Sequence, residues 1–267
     1  MKITNKLTDK EIEDIKELLR ICKIERIPNF DTSIYIDTEL PCFYLEYVDD
    51  KLVSFLSLFY VDIKEIEVVG MTHPDFRREG YFSLLLKEAK KVIPNNIPIL
   101  YQVPSECVDK EKLNSLGYEY HHGEFEMIKK IAVRGDERLQ TMEEADVEDV
   151  ARILADAFDD SVEEEVELIR FWQKDEGISL LVLREGEKTV GFIATSKVLH
   201  IKTLHLFAFC VDKNHRSKGY GKRVLSNLPF NSAGYVLRVD HDNLRAKKLY
   251  DEVGFTILSS TEYYLKK

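Results

Sequence analysis

The stretch "VDKNHRSKGYGKRVLSNL", residues 211–228, decides the fold. It opens as the end of an apolar strand, passes through a run of hydrogen-bond donors, and closes as an apolar-periodic helix starting near Gly219. Gly219 and Gly221 let the backbone approach a ligand, and the first turn of the helix leaves N–H groups without intrahelical partners. Those amides and the positive end of the helix dipole suit a phosphate or pyrophosphate, to which Arg216, Lys218 and Lys222 can add charge-assisted contacts. The spacing is neither G-x-x-x-x-G-K-[ST] nor G-x-G-x-x-G, so neither of those phosphate loops is implied.

A second stretch, "THPDFRREGYFSLLLKEA" (72–89), lies over the first at a shift of 139 residues. Both read as strand end, polar turn, Arg-x-x-Gly-Tyr and apolar helix. Upstream of each is a hairpin-like pair, "FYLEYVDDKLVSFLSLFYV" and "LLVLREGEKTVGFIATSKV", in which β-branched and apolar residues flank a charged or Gly-containing turn. Downstream of each come a short strand, a helix-like stretch and a Gly-aromatic pair, "NSLGYEY" and "DEVGFTI". The period is far too long for a solenoid, so the chain reads as a duplicated domain. The boundary is expected between 130 and 140, which gives domains 1–132 and 133–267. In "QTMEEADVEDVARILADAF" the residues Val147, Val150, Ile153, Leu154 and Ala157 keep helical spacing, and the early acids suit a helix N-terminus. Each half then runs helix, hairpin, strand, helix, strand, helix, strand, which is mixed α/β.

Composition narrows the possibilities. A chain of 267 residues, 44% hydrophobic with 12 Gly and 7 Pro, has the make-up of a packed globular protein. The net charge of −10 argues against general binding to nucleic acid or to an anionic membrane, so the cations near 216 must act locally. No apolar run approaches the length of about 18 residues that a membrane span requires. The N-terminus is charged and amphipathic, without a signal-peptide apolar region, and a cytoplasmic location is expected. Cys22, Cys42, Cys107 and Cys210 are scattered and read as reduced, mostly buried thiols, with no metal-ligand spacing among them.

The stretch "DHDNLRAKKLYDEVGFTIL" (240–258) adds the second motif. Asn243, Ala246, Leu249 and Tyr250 fall near one helical face, and Gly254-Phe255 ends the helix and begins a strand. With the loop of Arg216, Gly219 and Gly221, this pattern resembles the GNAT N-acetyltransferase family, well over 138–267 and loosely over 1–130. The resemblance implies two tandem domains, each a mostly antiparallel central sheet flanked by helices. It implies acetyl-coenzyme A (acetyl-CoA) as the acyl donor, with its pyrophosphate received by the loop Arg216, Ser217, Lys218, Gly219, Tyr220, Gly221 and Lys222. Asn243 and Ala246 would flank the pantetheine, and backbone amides of Phe209, Cys210 and Val211 would orient its amides and the acyl carbonyl.

The chemistry suits the residue types. An alkyl amine, with a pKa near 10.4, is mostly protonated at pH 7, so its attack on a thioester needs a proton acceptor. The departing thiolate leaves more easily if a hydroxyl donates to it, and Tyr250 is the candidate donor. For the base, His205, Asp240 and His241 stay open. The acids Glu163 to Glu165 read first as a solvated helix face, and as a lure for a cationic amine if that helix lines an acceptor groove. The first half departs from the pattern: it keeps Arg77 and Gly80, but Phe82 replaces Gly221, Glu106 stands opposite Asn243, and Leu113 stands opposite Tyr250. Leucine donates no proton, so that half is expected to be degenerate in catalysis.

Two functions follow as expectations. One is an acetyl-CoA-dependent N-acetyltransferase acting on a primary amine of a small molecule or peptide, with no metal. The other is a non-catalytic acyl-CoA-binding sensor.

Overall fold

The computed structural model describes residues 1–22, 41–60, 65–130, 139–197, 203–228 and 234–266. These residues gather into two compact units that are not consecutive in the chain. Among the described residues, the first takes everything through Glu124 together with 259–266, and the second takes Phe125–Leu258.

The first unit contains β1 (Lys2–Thr4), α1 (Asp9–Cys22), β2 (Phe43–Val48), β3 (Lys51–Tyr60), β4 (Ile66–Thr72), α2 (Tyr81–Ala89), β5 (Ile99–Pro104), α3 (Lys110–Ser115) and the start of β6 (Tyr118–Lys130). The second contains the rest of β6, then β7 (Gln140–Thr141), α4 (Val147–Phe158), α5 (Val162–Trp172), β8 (Ile178–Glu185), β9 (Lys188–Lys197), β10 (Thr203–Val211), α6 (Tyr220–Ser226), β11 (Gly234–Asp240), α7 (Leu244–Glu252) and the start of β12 (Thr256–Lys266).

In the first unit the strand order is β1-β2-β3-β4-β5-β12. β4 and β5 pair in parallel, and β12 closes on β5 antiparallel from Thr261↔Pro104 to Leu265↔Leu100. The last strand of the chain therefore completes the sheet of the first unit. Tyr264 of β12 is fully buried in the core that α1, β2, β3 and α2 build from Leu18, Tyr44, Phe55 and Leu85. In the second unit the order is β6-β11-β10-β9-β8-β7, with β10 and β11 parallel and β7, β8, β9 and β10 antiparallel in turn.

β8 and β9 are buried on both faces along most of their length, which explains why "LLVL" and "GFIA" read as continuous apolar runs rather than alternating ones. Leu181, Leu183, Ile193, Leu206 and Leu237 face one layer with Val224, Leu225 and Tyr250. Val182, Phe192, Ala194 and Cys210 face the other, against Val150, Leu154, Ile169 and Trp172 of α4 and α5. Each such side chain contributes about 1.5–3 kcal/mol by leaving water. On α4 the buried set includes Ala151, while Ala157 is exposed, because the helix ends at Asp159 in the left-handed conformation (φ 61°). All four cysteines are free, and Cys107 is exposed rather than buried.

A buried carboxylate fixes the entry to the first helix of each unit. Asp146 accepts from Arg184 Nε (2.9 Å) and Nη2 (2.5 Å), from Thr189 Oγ1 (2.7 Å) and from the Glu143 amide (2.7 Å). Burial alone would raise its pKa, and these donors hold it below the usual carboxylate range. Glu11 takes the corresponding part in the first unit, with Thr8 at 2.8 Å through its amide and 2.9 Å through its hydroxyl, and with the Lys2 ammonium.

Candidate functional site

The site of the second unit begins where two parallel strands part. The β10–β11 ladder runs only from Thr203↔Gly234 to Leu206↔Leu237, although β10 continues to Val211 and β11 to Asp240. A bulge between Phe207 and Cys210 shifts the β9 register over the same stretch and holds Ala208 at φ 49°. The backbone of Phe207–Val211 thus turns an edge toward β11 with no ladder partner among the described residues. A strand edge in that state offers amides and carbonyls to an extended ligand.

The turn after β10 is built from its own side chains. Asp212 accepts from the Asn214 amide at 3.0 Å and lies 2.6 Å from His215 Nδ1. Burial works against the Asp212 charge, but His215 and Asn214 keep its carboxyl below the ordinary range. Ser217 and Gly219 are both left-handed, at φ 64° and 87°. Arg216 donates from Nε to the Val211 carbonyl (3.0 Å) and from Nη2 to Asp156 of α4 (2.6 Å), so its guanidinium pins the turn to the strand end. Tyr220 packs at 5.1 Å on His215, with Arg223 over its other side at 4.8 Å. Lys218 and Lys222 form no ion pair among the described residues.

Gly221 has a packing reason of its own. A Cβ built on it would lie 2.9 Å from Leu249 Cδ2 and 3.4 Å from Phe209 Cζ, so α6 can meet α7 and β10 only without a side chain there. Asn243 caps α7 by accepting from the Ala246 amide at 3.1 Å, and Ala246 packs at the edge of the core. Tyr250 is 7% exposed, its ring 6.2 Å from Phe209 and 5.8 Å from Phe255. Burial pushes its phenol well above the ordinary value, and its hydroxyl has no hydrogen-bond partner among the described residues. Cys210 is buried too, and burial reinforced by the Glu165 charge keeps it a thiol.

Comparison with known proteins bears on the same stretch of the chain. Residues 147–255 match the acetyltransferase (GNAT) family. The second unit carries a GNAT domain. No curated protein matches the chain by sequence. Among solved structures, the GCN5-related N-acetyltransferase from Sphaerobacter thermophilus superposes with a TM-score of 0.72 at 14% identity, covering 99% of this chain and 95% of that one. A GNAT-family acetyltransferase from Colwellia psychrerythraea gives 0.59 at 12% identity with 100% of both chains covered. A tandem GNAT protein from the clavulanic acid biosynthesis pathway gives 0.58 at 14% identity, covering 99% and 97%. The mixed α/β fold expected from the residue pattern is the fold observed, and structures of the GNAT fold that the resemblance implies cover the whole chain. No described helix is long and apolar enough to cross a membrane.

The first unit keeps the same turn and alters what surrounds it. Its β4–β5 ladder also stops early, at Val68↔Tyr101, but the β3–β4 register runs without a bulge. Arg77 Nε donates to the Thr72 carbonyl at 3.1 Å, and Arg78 and Gly80 are left-handed at φ 69° and 89°, as in the second unit. Phe82 lies against Gly70, where an added Cβ would come within 2.3 Å of its ring. The helix cap falls on Asp109, which accepts from the Lys112 amide at 3.0 Å, rather than on Glu106. The reason is length: α3 spans six residues where α7 of the GNAT domain spans nine.

The acids of α5 divide three ways. Glu163 lines an outer groove with Glu148, Val162, Val166 and Glu167, Glu164 closes a capping box with Ser161, and Glu165 is buried at 3% exposure beneath the helix. Of the open candidates for a base, His205 stacks on Phe207 (5.8 Å), His241 meets Phe125 (4.2 Å), and Asp240 is exposed at the end of β11. Two GNAT-domain residues escaped the sequence reading: Asp156, which pairs with Arg216, and Arg245, whose Nη2 reaches Ser217 Oγ at 3.0 Å. Neither follows from spacing, since each contact joins segments 28 or more residues apart.

Proposed function

We propose that the second unit is an acetyl-CoA-dependent N-acetyltransferase that passes the acetyl group directly to a primary amine of a small molecule or peptide. The observation that carries this reading is Tyr250: a buried phenol, held by two aromatic rings and with its hydroxyl unspent, on the helix whose N-cap is Asn243. Acetyl-CoA supplies the activated thioester. The free edge of Phe207–Val211 binds the pantetheine and polarises the acyl carbonyl, and the turn 216–222 receives the pyrophosphate. Tyr250, kept protonated by burial, donates a hydrogen bond to the sulfur as charge develops there. Full transfer of the phenolic proton to a thiolate of pKa near 8.5 runs uphill, so the hydrogen bond itself is the contribution.

The first unit lacks both halves of this arrangement. Leu113 stands in the place of the phenol, and Phe82 lies against Gly70 on the strand that would offer its edge. We assign it a structural part. Calorimetric titration with acetyl-CoA tests the whole reading, with one site per chain expected. Tyr250→Phe should keep coenzyme affinity and lose about 100-fold or more of amine-dependent thiol release. Unchanged turnover would remove Tyr250 from the mechanism, and tight binding without thiol release from any amine would favour the sensor.

A further inference from the structure

The cations around the turn of the second unit are not equivalent. Arg216, the one that the sequence pattern points to, is committed within the fold, to Val211 and Asp156. The first unit shows that the first of these commitments belongs to the architecture, because Arg77 makes the same bond to Thr72 where Phe82 stands in place of Gly221. Arg245 is in the opposite position. It is exposed on the first turn of α7, makes no ion pair among the described residues, and directs its guanidinium onto the hydroxyl of Ser217 in the turn that follows β10. Ser217 itself is held left-handed at φ 64°, a conformation that serine adopts at a cost.

We propose that Arg245, and not Arg216, is the residue that reads a phosphate of the coenzyme, with Ser217 presenting it and Lys218 and Lys222 adding charge. The proposal rests on the coenzyme reading given above. One hydroxyl engages a single N–H of a guanidinium that has five, so the planar fork stays available for bidentate contact with a phosphate. In a chain of net charge −10, Arg245, Lys218 and Lys222, which form no ion pairs among the described residues, gather positive charge locally at this turn. The first unit has no counterpart, since α3 opens Lys110-Glu111-Lys112 where α7 opens Leu244-Arg245-Ala246.

The test is calorimetric titration of the full chain and of Arg245→Gln, Arg245→Lys and Arg216→Gln with acetyl-CoA and acetyl-3′-dephospho-CoA, with acetyl-pantetheine measured by competition. Arg245→Gln should bind acetyl-CoA about tenfold or more weakly, at an unchanged melting temperature and with a shallower salt dependence, and Arg245→Lys should recover part of the loss. A loss confined to acetyl-CoA assigns Arg245 to the 3′-phosphate, and an equal loss with the dephospho compound assigns it to the pyrophosphate. Arg216→Gln should lower the melting temperature. Wild-type affinity in Arg245→Gln would overturn the assignment and leave the coenzyme reading standing. An equal loss toward acetyl-pantetheine, which has no phosphate, would overturn it as well. A wild-type chain that binds no acetyl-CoA would bring down the coenzyme reading itself.

Discussion

The two units hold the same turn around opposite arrangements of bulk. In the second, Phe209 on the strand faces Gly221 on the helix, and in the first, Gly70 on the strand faces Phe82 on the helix. The left-handed residues and the arginine clamp are the same in both. A motif of Arg, Gly and backbone angles is thus kept by the fold whichever side of it carries the bulk. The bulge at Ala208, the glycine at 221 and the phenol at 250 distinguish the second unit.

The largest effect expected from testing this comparison comes from removing residues 259–267. The first unit then loses the strand that closes on β5 and the buried rings of Tyr263 and Tyr264, and its amides should lose protection from hydrogen exchange far more than those of β9 and β10. Equal loss in both units would mean that the chain folds as one cooperative body and that the comparison holds only for packing. Next in size is Asp146→Ala, which strands Arg184 half-buried and should cost about 3–5 kcal/mol in denaturant unfolding. Because the folded pKa of Asp146 lies below its unfolded value, this contribution is present above about pH 4 and is lost as pH falls through the folded value, so the wild-type advantage over the variant should shrink in acid.

The exchange of bulk is tested by Gly221→Phe alone and together with Phe209→Gly. The single variant should weaken acetyl-CoA binding by about 10- to 100-fold, since the new side chain overlaps Leu249. The double variant should recover melting temperature without recovering affinity. Recovery of affinity would show that the arrangement of bulk is interchangeable and that the difference between the units lies elsewhere. The smallest effect is expected from Ala208→Gly, which relieves a left-handed alanine and should stabilise the second unit by about 1 kcal/mol. A destabilised variant would mean that the alanine methyl packs well enough to outweigh the backbone strain.

The duplication, the strand-turn-helix around Gly219 and the Tyr250 helix were legible from residue order, because each is set by contacts within about twenty residues and by the demands of backbone angles. The cap of α3 at Asp109 was not, since a Gly-aromatic anchor aligns the helix ends and says nothing about how long each helix is. The bulge was not either: alanine carries no preference for the left-handed region, so nothing at position 208 announces it.

Local chemistry therefore set the class of fold, the repeated turn and the residue types of the site. Which cation is committed within the fold and which is left for a ligand, which strand completes which sheet, and whether an aromatic ring stands on the strand or on the helix were decided by contacts between segments far apart in the chain. Arg216 meets Asp156 across 60 residues, and Tyr263 of the last strand stands opposite Gln102. Such pairings depend on how the layers close, and composition and spacing leave that free because many partners of the same type compete for each group until packing selects one.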